Sequence, residues 1–325
     1  MRLVTFDAGA GPRLGALTDA DRVLDLALAA SRDRAADPAF ASMQSLIEAG
    51  ERAWDGARRL IERAASQATH EVTSVRLLAP LPRPVRLRDC SLFLDHMEKA
   101  LVRWARNLAE AEADPVSAFE ALMSTDRFIL KPIFRKQVIY YNADHLAVSG
   151  PDDDIVWPSY SDWMDYELEW ACVIGAGGAD ITPERARKHI FGYTIFNDWS
   201  ARDVQLPVME ANLGPGEGKD FARSNGLGPC IITPDEVADP YALTMTARVN
   251  GEEWSRGSTA TMHHSFEDAV VQFSREKPLH PGEVIGSGTV LSGCGFELGR
   301  KLAAGDLVEL EIEAIGTLRN RIVRR

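Results

Sequence analysis

Apolar and polar residues alternate over residues 3–6 and again over 13–17 after a Gly/Pro turn, the period-two pattern of half-buried strands. Over residues 43–65 the period lengthens. Leu46, Ile47, Trp54, Ala57, Leu60 and Ile61 recur at helical spacing with Arg and Glu between them, which predicts one amphipathic helix. Three prolines within residues 80–84 disfavour helix and suit an extended linker, so a small α/β unit of residues 1–80 is expected to precede a larger one of residues 81–325. Residues 93–111 read as an amphipathic helix with His96 near its start, and 114–127, opening on Asp114-Pro115, as a lid or an interface segment. Short apolar runs then follow at 138–141, 146–148, 168–174, 190–196, 230–233, 243–249, 284–291 and 307–315. Turn signals such as Gly150-Pro151, Pro281-Gly282 and Gly305-Asp306 separate them. This punctuation predicts an α+β class, a large mixed or antiparallel β architecture carrying a few helices, rather than regular βαβ winding. Asn250-Gly251 is the sharpest hairpin signal, because both residues tolerate the positive φ of a type I′ turn.

A chain of 325 residues with 45% hydrophobic and 26% charged positions can bury one large core and a smaller second one. The formal net charge of −12 lacks the basic footprint that nucleic acid or an anionic membrane requires, so neither is an expected partner. An anionic substrate must be met by local positive charge. The amino terminus has no basic segment followed by an apolar run, and no stretch of about 18 apolar residues occurs. A cytoplasmic location is the expectation. Cys90, Cys172, Cys230 and Cys294 are far apart and read as free, buried thiols of a reducing compartment.

Candidate chemistry concentrates in acids. In Asp165-Tyr166-Glu167-Leu168-Glu169, strand geometry puts Glu167 and Glu169 on one face and Leu168 on the other. Two such acids are either a solvated surface pair or need a cation between them. Asp198 closes another strand-like run beside Trp199, where a buried carboxylate is costly unless it is paired or binds a metal. Three hard oxygen donors without clustered His or Cys select Mg²⁺, Mn²⁺ or Ca²⁺ over zinc. The residues themselves leave metal binding and surface solvation both open.

The segments DYELEWACVIG, FGYTIFNDWSARDVQ, GKDFARSNGLGPCIITPDE, VNGEEWSRGST and IGSGTVLSGCGFEL, in that order, resemble the fumarylacetoacetate hydrolase superfamily from Arg86 to the carboxyl terminus. The resemblance implies a mixed β-roll catalytic domain that forms a homodimer. It makes Glu167, Glu169 and Asp198 ligands of a divalent cation, Mg²⁺ before Mn²⁺ or Ca²⁺. Asp89, seven residues before His96, is the fourth, with a surface ion pair to Arg88 as its other reading. His96 becomes the general base, oriented by Glu297 of Gly295-Phe296-Glu297-Leu298. Many short members carry a glutamate three residues after the histidine, where this chain has Lys99, whereas the longer members supply it from the late segment that Glu297 matches; Glu98 is the fallback partner. Lys219 would stabilise developing negative charge, while Arg202, Gln205 and Thr289 would bind the substrate. His263 and His264 sit in a polar segment and are expected to be solvated.

Two departures bear on the substrate. Leu206-Pro207-Val208-Met209 stands where the namesake has a pocket tyrosine, and no second pocket tyrosine is recognised near Pro132-Ile133-Phe134, so a more apolar pocket is expected. The expected reaction is hydrolysis of a carbon–carbon bond in an acylpyruvate or related small anionic 1,3-dicarbonyl or 2-oxo acid. The alternative is a decarboxylase, tautomerase or hydratase of a 2-oxo acid on the same metal platform.

Overall fold

The computed structural model describes residues 1–19, 21–63 and 69–324. At its centre the strand Leu168–Ile174 pairs antiparallel with Ile190–Asp198, and both are buried along their whole length. Burial on both faces explains why these strands are apolar without alternation. Trp170, Cys172 and Ile174 enter one core cluster together with Tyr193, Ile195 and Phe266. Ala171 and Val173 enter the other, with Phe191 and Phe196.

The sheet that carries this pair runs in the order Thr69–Glu71, Arg22–Asp25, Pro12–Asp19, Arg2–Asp7, Asn225–Ile232, Ile190–Asp198, Leu168–Ile174, Glu283–Gly286, Arg86–Cys90, Tyr140–Ala143. Most neighbours are antiparallel, but Glu283–Gly286 lies parallel to Arg86–Cys90. Strand Arg2–Asp7 pairs with Asn225–Ile232, so the first strands of the chain continue the same sheet. Helices Leu26–Arg32, Met43–Ala49 and Glu51–Arg63 pack Leu26, Leu46, Ile47 and Leu60 onto one face. On the other face lie helix Phe266–Phe273 and a five-stranded sheet built from Thr244–Val249, Glu252–Ser258, Leu307–Ile312, Gly316–Val323 and Asp154–Val156. The result is the mixed α+β arrangement expected for the family.

The hairpin at Asn250-Gly251 forms as predicted, with φ of 51° and 82°. The helix predicted over 43–65 does not form as one. Gly50, at φ 74°, ends Met43–Ala49, and Glu51–Arg63 starts a new direction; the predicted end at 64–65 lies outside the described residues. Helix Leu94–Ala109 fills the predicted 93–111. The run 284–291 stops being a strand at Gly286, and the chain turns at Gly288 (φ 75°) to bring Thr289 inward. Segment 114–127 holds the helix Pro115–Met123, capped by Asp114 and without a buried residue.

Candidate active site and metal centre

Side-chain parity along the sheet builds the site. Leu87, Ala171, Phe196 and Ala143 all belong to the second core cluster. Asp89, Glu169, Asp198 and Tyr141 each lie two positions from one of these on the same strand, so they share that face at one end of the sheet. Gly286 stands between the strands that bear Glu169 and Asp89. A Cβ there would lie 2.7 Å from Asp89 Oδ1 and 2.9 Å from the Phe196 ring, so the glycine makes room for the carboxylate.

One oxygen each from Asp89, Glu169 and Asp198 converge within 4.8 Å of one another. Thr289 Oγ1 donates to Glu169 Oε1 (3.1 Å), Tyr141 Oη to Asp198 Oδ2 (2.6 Å) and the Gly288 amide to Asp89 Oδ1 (3.2 Å). Glu169 Oε2 and Asp198 Oδ1 are buried without a hydrogen-bond partner. Burial, and then the charge of Asp198, pushes the Asp89 carboxyl up to about 8. Burial followed by Asp89 raises Glu169 well above its usual range, and burial raises Asp198 to about 6 against the pull of Lys219. Three crowded acids, two of them with an orphaned buried oxygen, are held close together, and an oxygen-seeking divalent cation is the group that fits them.

Glu167 lines the same cavity but stands outside this trio, because cations hold both its oxygens. Lys219 Nζ is 2.6 Å from Oε2 and Arg202 Nη2 is 2.7 Å from Oε1. Burial would raise its pKa, yet Lys219 and then Arg202 outweigh burial and keep it below the usual carboxylate range. Lys219 Nζ also reaches Asp198 Oδ2 (2.5 Å) and the Asp198 carbonyl (3.1 Å), which accounts for its three protons.

His96 and Glu297 come together from opposite ends of the chain, with Nδ1 2.6 Å from Oε1. Helix Leu94–Ala109 carries the histidine, and the short helix Gly295–Leu298 carries the glutamate. Glu297 Oε2 accepts from the Ser292 amide at 2.9 Å, which fixes the carboxylate. With Nδ1 engaged, Nε2 is the ring nitrogen left for the cavity that His96 lines. Glu98, the fallback partner, points away: it is exposed and pairs with Arg135. Lys99 instead donates to Ser292 Oγ at 2.6 Å.

Of the residues expected at the substrate, Gln205 and Thr289 line the cavity and Arg202 does not. The Arg202 guanidinium lies behind the wall, donating to Asp165 Oδ2 from Nε and Nη2 and to Gln205 Oε1 from Nη1. That contact spends the amide oxygen of Gln205 and leaves its Nε2 as a donor for the cavity. Two residues escaped the sequence reading. Tyr141 supplies a pocket hydroxyl from the strand after Pro132–Arg135, not from the segment searched; what places it there is its ladder pairing with Asp89, which no local sequence pattern carries. Asp165 was quoted only as part of a motif. His263 is exposed as expected, whereas His264 is half-buried with Nε2 2.7 Å from the Phe134 carbonyl.

The cavity measures about 230 Å³. Residues 118–323 match the family described as fumarylacetoacetate (FAA) hydrolase, C-terminal. The human protein named oxaloacetate tautomerase FAHD2A, mitochondrial, is 32% identical over 336 residues, covering 99% of this chain and 92% of the human protein. The crystal structure of a fumarylacetoacetate hydrolase from Exiguobacterium antarcticum superposes with a TM-score of 0.72 at 26% identity, covering 100% of both chains. That of maleylpyruvate hydrolase from Sphingobium sp. SYK-6, in complex with manganese(II) and pyruvate, does so with 0.70 at 23% identity, covering 100% of this chain and 99% of the other. No helix among the described residues is long and apolar enough to cross a membrane. With this site on this sheet, and with the family match spanning most of the chain, the protein belongs to the fumarylacetoacetate hydrolase family of enzymes.

Proposed function

We propose that this chain is a metal-dependent tautomerase of 2-oxo acids, moving a proton between C3 and the C2 oxygen to interconvert keto and enol forms. The observation that carries this reading is the meeting, in one cavity, of a carboxylate trio suited to a divalent ion and a carboxylate-oriented histidine. The name of the human relative, an oxaloacetate tautomerase, supports it over the expected hydrolysis.

A divalent ion held by Asp89, Glu169 and Asp198, Mg²⁺ first and Mn²⁺ as alternative, would supply a Lewis acid to the 2-oxo and carboxylate oxygens and so acidify C3. His96 Nε2 takes the proton from C3 or returns it, while the oxygen exchanges its own proton with water. Glu297 holds the ring in the tautomer that leaves Nε2 as base and stabilises the imidazolium that forms. The fixed positive charge of Lys219 lowers the cost of negative charge accumulating beside Glu167 and Asp198. Gln205 Nε2, whose oxygen is held by Arg202, is the donor that would orient the substrate carboxylate, while Thr289, its proton given to Glu169, would act by holding that acid beside the substrate.

Carbon–carbon hydrolysis of an acylpyruvate stands as the second reading, because a histidine held by a carboxylate is also suited to activating water. The structural relative named maleylpyruvate hydrolase accords with it. The homodimer belongs to the same reading and is checked by light scattering. Four free, buried thiols suit a reducing compartment such as the cytoplasm, while the human relative's name places that protein in mitochondria.

The test follows decay of the oxaloacetate enol, with an acylpyruvate in parallel, using chelated enzyme re-supplied with Mg²⁺ or Mn²⁺. Metal-restored ketonisation that falls by about 10³-fold in His96→Ala is the expected result. Acylpyruvate cleavage without enol turnover would put hydrolysis first. Activity indifferent to chelation would remove the metal trio from the mechanism.

A further inference from the structure

The cavity joins its acids to a largely apolar lining. Beside the acids stand Phe93, Met97, Phe134, Ile139, Met209 and Pro215, and the other polar side chains there, Ser91, Tyr140 and Gln205 among them, are neutral apart from Lys219 and His96. Only Lys219 and His96, among the side chains that line it, can carry a positive charge, and both are committed: the first to Glu167 and Asp198, the second to Glu297.

Four cations on neighbouring segments are engaged outside the cavity: Arg135 pairs with Glu98, Arg127 with Glu210 and Lys131 with Asp126, while Lys99 donates to Ser292 and lies 3.7 Å from Glu297. None of these four lines the cavity. Inside, Arg202 is shared between Asp165 and Glu167. The carboxylates of Asp89, Asp165, Glu167, Glu169 and Asp198 then face Arg202, Lys219 and one divalent ion, and negative charge outnumbers positive by one. A 2-oxo acid brings one carboxylate to that centre. A second carboxylate, at the far end of the substrate, would lose its water against apolar side chains with no cation to receive it.

We propose that the preferred substrate is a 2-oxo acid whose distal substituent is apolar, an alkyl or aryl tail seated against Met97, Phe134 and Met209, and not a 2-oxo dicarboxylate. This deepens the tautomerase reading and rests on it for the reaction, but the tail preference is a property of the wall and can be measured by binding alone.

Two isosteric ligands separate the readings. 5-Methyl-2-oxohexanoate and 2-oxoglutarate differ in that an isopropyl group replaces the distal carboxylate. Calorimetric titration of the Mg²⁺-loaded full chain should show the apolar ligand binding at least about tenfold more tightly, a difference of 1.4 kcal/mol. Phe134→Arg and Met209→Arg, both at the accessible rim, should each narrow or invert the ratio by giving the carboxylate a partner; two variants guard against one of them misfolding. Enol turnover of phenylpyruvate and oxaloacetate is followed alongside, and phenylpyruvate should have the higher kcat/KM. Equal or tighter binding of 2-oxoglutarate by the wild type would overturn the proposal and leave tautomerisation standing. A clear preference for the apolar ligand with no enol turnover would uphold the proposal for the pocket and remove the tautomerase reading.

Discussion

The carboxylate of Asp165 accepts five hydrogen bonds: from the amides of Tyr166 and Gly295 on Oδ1, and from the Phe296 amide and Arg202 Nε and Nη2 on Oδ2. It touches nothing in the cavity, yet it ties the helix that carries Glu297 to the arginine that holds Glu167. Asp165→Asn keeps the shape, removes the charge that balances a buried guanidinium and turns one acceptor into a donor facing amide donors. Breaking such a pair costs on the order of 3 kcal/mol, so the thermal midpoint should fall. Looser placement of Glu297 should also lower kcat by about tenfold with little change in KM; an unchanged kcat in a destabilised protein would make Asp165 structural only. Glu297→Gln, which can still hydrogen-bond His96 but cannot stabilise its charge, should lower kcat by about 10²-fold and leave metal affinity as it was. At this scale the sequence was partly legible. Glu169 and Asp198 could be read from strand parity and the cost of burial. The partnership of His96 with Glu297 spans 201 residues of chain, which no local pattern encodes, and it was reached through the family resemblance.

At the scale of elements, the site exists because four strands deliver side chains of one parity to one end of a sheet, and its tightest crossing is Gly286. Gly286→Ala leaves the backbone able to form the strand but drives a methyl group toward Asp89 Oδ1 and the Phe196 ring. The predicted consequence is a loss of about 1–3 kcal/mol in stability together with Mg²⁺ affinity weakened by at least tenfold in calorimetric titration. Unchanged affinity would mean that Asp89 is not a ligand. Strands with buried faces and sharp turns were readable because period-two burial and Asn-Gly chemistry are local. The break at Gly50 was missed for a physical reason: the apolar spacing on either side is helical, and only the φ of one residue redirects the axis. Likewise the apolar run after Gly286 looks like strand, whereas Gly288 turns the chain so that Thr289 meets Glu169.

For the whole molecule, the carboxylate trio makes stability and metal binding move in opposite directions with pH. Asp89 and Asp198 have folded-state pKa values raised to about 8 and about 6, above the value of about 3.9 for an aspartate in an unfolded chain. Between these limits the folded metal-free protein holds more protons than the unfolded one, so the stability these groups contribute is full below about pH 4 and is lost as pH rises toward 8. Glu167 behaves oppositely: Lys219 and Arg202 depress its pKa, and the stability it adds above about pH 4 is lost in acid. A divalent ion binds only ionised carboxylates and must displace the protons still held at neutral pH, so its apparent affinity should rise by up to about tenfold per pH unit for each proton displaced. The thermal midpoint of chelated protein should therefore fall from pH 6 to pH 8, while the upward shift on adding Mg²⁺ grows over the same interval. Asp89→Asn, which removes one of the carboxyls raised by burial, should flatten both trends. If the Mg²⁺ shift is independent of pH, binding displaces no proton from the trio and the proton linkage fails; if it grows and the Asn variant flattens the growth, the acids act as one proton-linked metal site.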